Sequence, residues 1–128
     1  MAEKIDELCE NLNGKLNAKS QNLRELYEIA FNAHFDLVTI HPWADGNGRT
    51  ARLLMNFLQF HFKVVPTKIF MENRMEYIAS LRESQDANDN LSFLKFMALE
   101  HLKTLEAQLS MAISLSQSSG RHDEHVFA

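Results

Sequence analysis

The sequence predicts an all-α fold, and three observations carry that prediction. Apolar residues recur at spacings of three and four over most of the chain. No run alternates apolar and polar residues convincingly enough to read as a half-buried strand. Helix start and stop signals flank the periodic segments. A chain of 128 residues suits one domain. The expected organisation is a core over residues 1–115 and a mobile tail over residues 116–128.

The elements follow in order. Ile5, Leu8, Leu12 and Leu16 give a short amphipathic helix near residues 3–16, with Gly14 weakening its last turn. Asn22 and Glu25 form a capping-box-like start for a second helix. Its apolar face is wide, from Leu23, Leu26 and Tyr27 through Ala30, Phe31 and His34 to Leu37 and Val38, so it is buried on more than one side. Pro42 ends it, because the residue before a proline is pushed out of the α region. Residues 44–48 form a tight loop, and a third helix begins near Gly48 with Asn47 as its cap and Leu53, Leu54, Phe57, Leu58 and His61 as its buried face. Residues 63–70 are a connection. Asn73 and Glu76 open a fourth helix carrying Tyr77, Ile78 and Leu81, and residues 86–90 turn the chain. A long last helix runs from Leu91 to about Leu115, with Leu94, Met97, Ala98, Leu102, Leu105 and Leu109 along one side. The result is a helical bundle with a loop held between two buried helices.

Composition excludes several function classes. The net charge is −4, from 13 basic and 17 acidic residues, so there is no basic stripe of the kind that binds nucleic acid. No apolar stretch approaches the length of a membrane span. Cys9 is the only cysteine, which fits a reducing compartment, and the acidic N-terminus is not a signal peptide, so a cytoplasmic setting is expected.

The chemistry is concentrated in His41-Pro42-Trp43-Ala44-Asp45-Gly46-Asn47-Gly48-Arg49-Thr50-Ala51-Arg52. Gly46 and Gly48 permit backbone shapes closed to other residues, and successive amides in such a loop make a concave anion site. The helix that follows adds free N–H groups and the positive end of its dipole. Asn47 offers further donors. Arg49 and Arg52, three apart on the first turn, can each grip phosphate with a planar fork. Asp45 is the one carboxylate in the loop and is placed to bridge Mg²⁺ to the phosphates of a nucleotide. His41, with an ordinary pKa of about 6.5, accepts a proton near neutral pH. This is the equipment for a metal-bound polyphosphate.

The run resembles the Fic (filamentation induced by cyclic AMP) signature, H-[P/x]-F-x-[D/E]-G-N-G-R-x-x-R. His41, Asp45, Gly46, Asn47, Gly48, Arg49 and Arg52 fill every chemically active position, and Trp43 replaces the usual Phe. The likeness extends from about Leu23 to Leu105 and implies a Fic-like helical bundle. It implies a protein adenylyltransferase in which His41 deprotonates a Ser, Thr or Tyr hydroxyl of a target protein. The hydroxyl attacks the α-phosphate of ATP, and pyrophosphate leaves. On the same resemblance Asp45 holds Mg²⁺, Gly46, Asn47 and Gly48 form the anion hole, and Arg49 and Arg52 hold the leaving phosphates. Tyr77, in Asn73-Arg74-Met75-Glu76-Tyr77, matches a position near the adenine pocket. The complete G-N-G-R pattern favours AMP transfer over the phosphate transfer of the Doc-like branch, whose loop is degenerate.

Two family features are not found in the sequence: a β-hairpin flap upstream of the motif, and an S/T-x-x-x-E-G/N inhibitory motif. The expectation is a truncated or minimal core, with regulation absent or supplied by a partner or by further sequence. The alternatives are a nucleotide-binding but catalytically idle core, and transfer of a different nucleotide group or of phosphocholine. Outside the motif, His34 reads as a satisfied core histidine, His61 as edging the core, His101 as surface, and His122 and His125 as part of the tail. Met71, Met75 and Met97 read as core filler.

Overall fold

A computed structural model describes the backbone of residues 2–17, 21–40 and 46–127, and the side chains of residues 3–17, 21–40 and 46–117. Five helices follow one another: α1 (Ala2–Leu16), α2 (Leu23–Ile40), α3 (Asn47–His61), α4 (Arg74–Ala87) and α5 (Leu91–Phe127), with a single 3₁₀ turn (Met71–Asn73) leading into α4. No strand occurs among the described residues, so the fold is all-α, as the periodicity predicts. No described helix is long and apolar enough to cross a membrane.

Helix α2 is the centre of the bundle and packs on α1, α3 and α5. Its start is the expected capping box: the Glu25 N–H donates to Asn22 Oδ1 at 2.9 Å, and Asn22 Nδ2 donates to Glu25 Oε1 at 3.1 Å. Helix α2 is described to Ile40, and the expected stop at Pro42 lies outside the described residues. One face of α2 carries Ala30, Phe31 and Ala33 into the main core with Met55, Leu58, Tyr77, Leu81, Phe93 and Met97. Another carries Leu37 toward Leu8 of α1 and Ala51 of α3. The small residues Ala30, Ala33 and Ala51 are essentially without solvent contact and mark where helices approach closely.

Left-handed residues close two of the helices. Lys63 (φ 61°) ends α3, with the Val64 N–H donating to the Gln59 carbonyl at 2.9 Å and the Lys63 N–H to Phe60 at 3.0 Å. Asn88 (φ 51°) ends α4 in the same way, with the Asp89 N–H donating to Ser84 at 3.1 Å. An asparagine tolerates this conformation better than most side chains.

The structure corrects the register of two apolar faces. In α3 the buried positions are Asn47, Ala51, Met55, Leu58 and Gln59, whereas Leu53 and Phe57 are exposed. Both sides of α3 carry apolar residues at helical spacing, so the periodicity could not choose between them. In α5 the buried seam is Phe93, Met97, Glu100, His101 and Thr104, while Leu102 and Leu109 are exposed. That seam is chosen by hydrogen bonding: the buried Glu100, His101 and Thr104 all bond the chain between α3 and α4. His101 is therefore buried and not a surface residue. Met71 and Met75 are exposed and only Met97 is core filler. His61 is exposed. Helix α5 also runs on to Phe127 instead of ending near Leu115, since no proline interrupts residues 116–127.

Candidate functional site

The glycine-rich run enters α3 through a strained residue. Gly46 precedes the helix at φ +83°, a left-handed conformation that glycine alone adopts without penalty. Its carbonyl accepts the first bond of the helix, from the Thr50 N–H at 3.0 Å. Asn47 is the first residue of α3 and is buried, so Gly46, not Asn47, takes the capping position. An Asn at Gly46's place would have capped with its side chain but would have had to adopt the positive φ. Glycine resolves that conflict at the cost of a side-chain cap.

A cleft of about 620 Å³ opens at this helix start. That volume is in the range of small-molecule and cofactor sites. Gly46, Gly48, Arg49 and Arg52 line it from α3, Ile69, Phe70 and Met71 from the connection, and Arg74, Tyr77 and Ile78 from α4. Of the predicted site residues, the structure thus brings Gly46, Gly48, Arg49, Arg52 and Tyr77 to one cavity, and places Asn47 buried beside it. His41 and Asp45 lie outside the described residues.

The two glycines also make room for the two arginines. A methyl group on Gly46 would lie 3.5 Å from an Nη of Arg49, and one on Gly48 would lie 3.4 Å from an Nη of Arg52. Each guanidinium is folded over a glycine of the same turn, close to backbone that a ligand can approach.

Arg74 is the residue that sequence reading missed. It lines the cleft as a third guanidinium, and no carboxylate lines it among the described residues. The signal was present: Arg74 is three residues before Tyr77, so the two share a face of α4. Among the described residues the charged lining of this cleft is cationic, which favours an anionic ligand. Among the described residues there is no group of three or more His, Cys, Asp or Glu side chains able to hold a metal ion.

Tyr77 is buried, and its hydroxyl lies 2.7 Å from Nε2 of His34 in the core. Burial raises the Tyr77 pKa, while the Arg52 guanidinium beside it pulls the other way, both as a charge and as a hydrogen-bond donor. His34 has no solvent exposure and stacks on Phe93 at 5.5 Å between ring centres. Burial, reinforced by the Arg52 charge, lowers its pKa to about 4. Nδ1 of His34 has no partner of hydrogen-bond geometry, although the Ala51 backbone is near enough to oppose the shift. His34 is thus a neutral core histidine satisfied at one nitrogen, and that nitrogen connects it to the cleft.

The opposite wall is tied to α5. The Phe70 N–H donates to Glu100 Oε2 at 2.9 Å, and Asn73 Nδ2 donates to Glu100 Oε1 at 2.7 Å. The Lys68 N–H donates to Thr104 Oγ1 at 3.1 Å. Asn73 therefore spends its side chain on Glu100 and does not cap α4 as expected. Gln59 of α3 holds Thr67 at two points, accepting its N–H at 2.9 Å and donating to its hydroxyl at 2.7 Å. The Thr67 hydroxyl also lies 2.7 Å from Nδ1 of His101, which ties the connection to α5.

Comparison with known proteins agrees with this geometry. The Fic/DOC family matches residues 1–59. Protein adenylyltransferase fic-1 of Caenorhabditis briggsae is 36% identical over 104 residues, covering 81% of this chain and 20% of that protein. Protein adenylyltransferase Fic of Nematostella vectensis is 33% identical over 108 residues, covering 84% of this chain and 25% of that protein. A solved structure of Fic-1 from C. elegans superimposes with a TM-score of 0.71 at 32% identity, covering 92% of this chain and 33% of that one. The chain spans a fifth to a quarter of the length of these curated relatives. On its motif, its helical fold and these likenesses, the chain belongs to the Fic/DOC family.

Proposed function

We propose that this chain is the nucleotide-binding and catalytic core of a protein adenylyltransferase, which transfers AMP from Mg-ATP to a hydroxyl side chain of a target protein. The observation that carries the reading is the convergence of Arg49, Arg52 and Arg74 on one cleft floored by Gly46 and Gly48 at a helix start. Charge-assisted hydrogen bonds to phosphate contribute roughly 1.5–3 kcal/mol each, so several of them suffice for micromolar affinity, about 8 kcal/mol. The relatives named protein adenylyltransferase supply the choice of reaction.

In this reading the triphosphate lies over the first turn of α3, with Gly46, Asn47 and Gly48 around the α-phosphate and Arg49 and Arg52 on the leaving side. Tyr77 and the wall of Ile69, Phe70 and Ile78 are left for the nucleoside. His41, directly after the last residue of α2, takes the proton of the attacking Ser, Thr or Tyr hydroxyl. The hydroxyl oxygen bonds to the α-phosphorus as the bond to the β-phosphate oxygen breaks, and pyrophosphate leaves with the electron pair. Mg²⁺ would come with the nucleotide and be held by Asp45, where it would neutralise phosphate charge.

Intact-mass analysis after incubation with Mg-ATP and a cell lysate tests the reading, with His41→Ala alongside. An AMP-sized adduct on the chain or on a lysate protein, absent with the variant, supports transfer. Nucleotide binding by titration without any adduct identifies a binding core that lacks transfer activity. Competition among nucleotides in the same titration decides which base the cleft selects.

A further inference from the structure

We propose that His34 and Tyr77 are positioning residues that aim Arg52 into the cleft: the Tyr77 hydroxyl gives its proton to Nε2 of His34 and turns its lone pairs to the Arg52 guanidinium. The inference rests on the phosphate-binding role of Arg52 argued above and adds two residues to it.

A guanidinium only donates. A tyrosine oxygen has one proton and lone pairs. The Tyr77 oxygen lies 2.7 Å from His34 Nε2, so one of the two donates to the other. If His34 were the donor, the Tyr77 proton would have to point elsewhere, and the neighbouring Arg52 would meet it head on. With the His34 proton on Nδ1, Nε2 accepts the Tyr77 proton, and both lone pairs of the oxygen are left for Arg52. The Tyr77 hydroxyl and Arg52 are then compatible, and the Nδ1 proton is left beside the Ala51 backbone without a bond of full geometry.

The pair is rigid. His34 has no exposure, lies against Phe93 with ring planes 20° apart, and meets Tyr77 edge-on at 80°. Neither ring can swing away without opening the core. On its other side, Arg52 passes over Gly48, where a side chain would touch its guanidinium at 3.4 Å. Arg52 is therefore confined between a glycine and an anchored phenol, while Arg49 on the same turn is exposed. Restricting a long side chain in advance removes ordering entropy that binding would otherwise cost. A neutral His34 also suits the site, because a charged imidazolium would repel Arg52.

Binding of Mg-ATP and of AMP to the whole chain, measured by titration, separates this role from plain packing. Tyr77→Phe keeps the ring and removes the hydroxyl. His34→Met removes the acceptor at similar size, and His34→Gln keeps an acceptor near Nε2. The expected result is a loss of ATP affinity of about tenfold for Tyr77→Phe and for His34→Met, with AMP affinity changed less than about twofold in His34→Met, whose altered residue does not line the cleft. The double variant should lose no more than either single one, and His34→Gln should regain most of the affinity. Equal losses for ATP and AMP in His34→Met, additive losses in the double variant, or failure of His34→Gln to restore binding would each overturn the positioning role. If the unaltered chain bound no ATP at all, the nucleotide reading itself would fall, an outcome distinct from selective or unselective variant effects.

Discussion

The carboxylate of Glu100 accepts the backbone N–H of Phe70 at 2.9 Å across 30 residues of chain, and Glu100 is 1% exposed. A second bond, from Asn73 Nδ2 at 2.7 Å, occupies its other oxygen. The wall of the cleft thus hangs from a buried charge on α5, with Lys103 at 3.5 Å as a partly exposed counterion. Glu100→Ala strands two partly buried donors and should destabilise the chain by about 2–4 kcal/mol, at roughly 1–3 kcal/mol for each unsatisfied group. Glu100→Gln keeps one acceptor but turns an N–H₂ toward a donor, so it should fall between. Urea unfolding of the three proteins checks the order. If Glu100→Ala unfolds at the same midpoint as the parent, the wall is not held from α5.

His34 sets a pH dependence of stability. Its pKa is lowered to about 4 in the folded chain against 6.5 when exposed. The unfolded chain then binds a proton that the folded one refuses, so the contribution is complete above pH 6.5 and is lost as the pH falls toward 4. Two and a half pKa units correspond to about 3 kcal/mol at the limit. Burial lowers the His101 pKa as well and acts in the same sense, while the raised pKa of Asp36 opposes them at the acid end. Unfolding of the parent and of His34→Gln at pH 7.5 and pH 4.5 should show a smaller loss in the variant. Equal losses would mean that His34 titrates normally.

Gly46 and Gly48 share a motif but carry different constraints. Gly46 sits at φ +83°, so Gly46→Ala should cost about 1–2 kcal/mol of stability. Gly48 lies inside α3 with ordinary helical backbone, where alanine is favoured over glycine by roughly 1 kcal/mol. Its new methyl group would press only on the guanidinium of Arg52, at 3.4 Å. Gly48→Ala should therefore be as stable as the parent or more so, yet bind ATP more weakly. Thermal unfolding beside ATP titration tests both halves. A destabilised Gly48→Ala would show that its backbone is under a constraint not accounted for by this geometry.

The sequence revealed the helices well and their faces less well, and the reason is physical. The pair Asn22 and Glu25 acts on the backbone within a few residues, so the start of α2 was legible. The buried seam of α5 was not, because Glu100, His101 and Thr104 are buried for partners about 30 residues away. Hydrophobicity alone favours Leu102 and Leu109, which the fold leaves exposed. Asn73 misled in the same manner, since a local cap competed with a distant carboxylate and lost. The α3 side of the cleft was legible because Gly46, Gly48, Arg49 and Arg52 lie within one short run, whereas Arg74 joins them only when the chain folds.

His41 and the arginines have separable roles. His41→Ala should abolish transfer while leaving ATP binding nearly unchanged, since a general base contributes about 10²–10⁴ in rate without holding the ground state. Adduct formation and ATP titration, measured on the same preparation, check this. Parallel loss of both would place His41 in binding and not in proton transfer.

Arg74 completes the cationic lining from the far side of the cleft and is exposed, unlike the partly buried Arg52. Its contact with a nucleotide would be solvated, and exposed charges are screened within about 8–10 Å at ordinary salt. Arg74→Ala should therefore weaken ATP binding by about tenfold or less, the value of one partly screened charge-assisted contact. The deficit should shrink as salt rises, because screening weakens the parent's contact while the variant has none to lose. Arg74→Lys, which keeps the charge without the planar fork, should recover part of the affinity. Titrations of the three proteins at low and high salt decide the matter: a loss of the same size at every salt concentration would assign Arg74 to the shape of α4 instead of to the ligand.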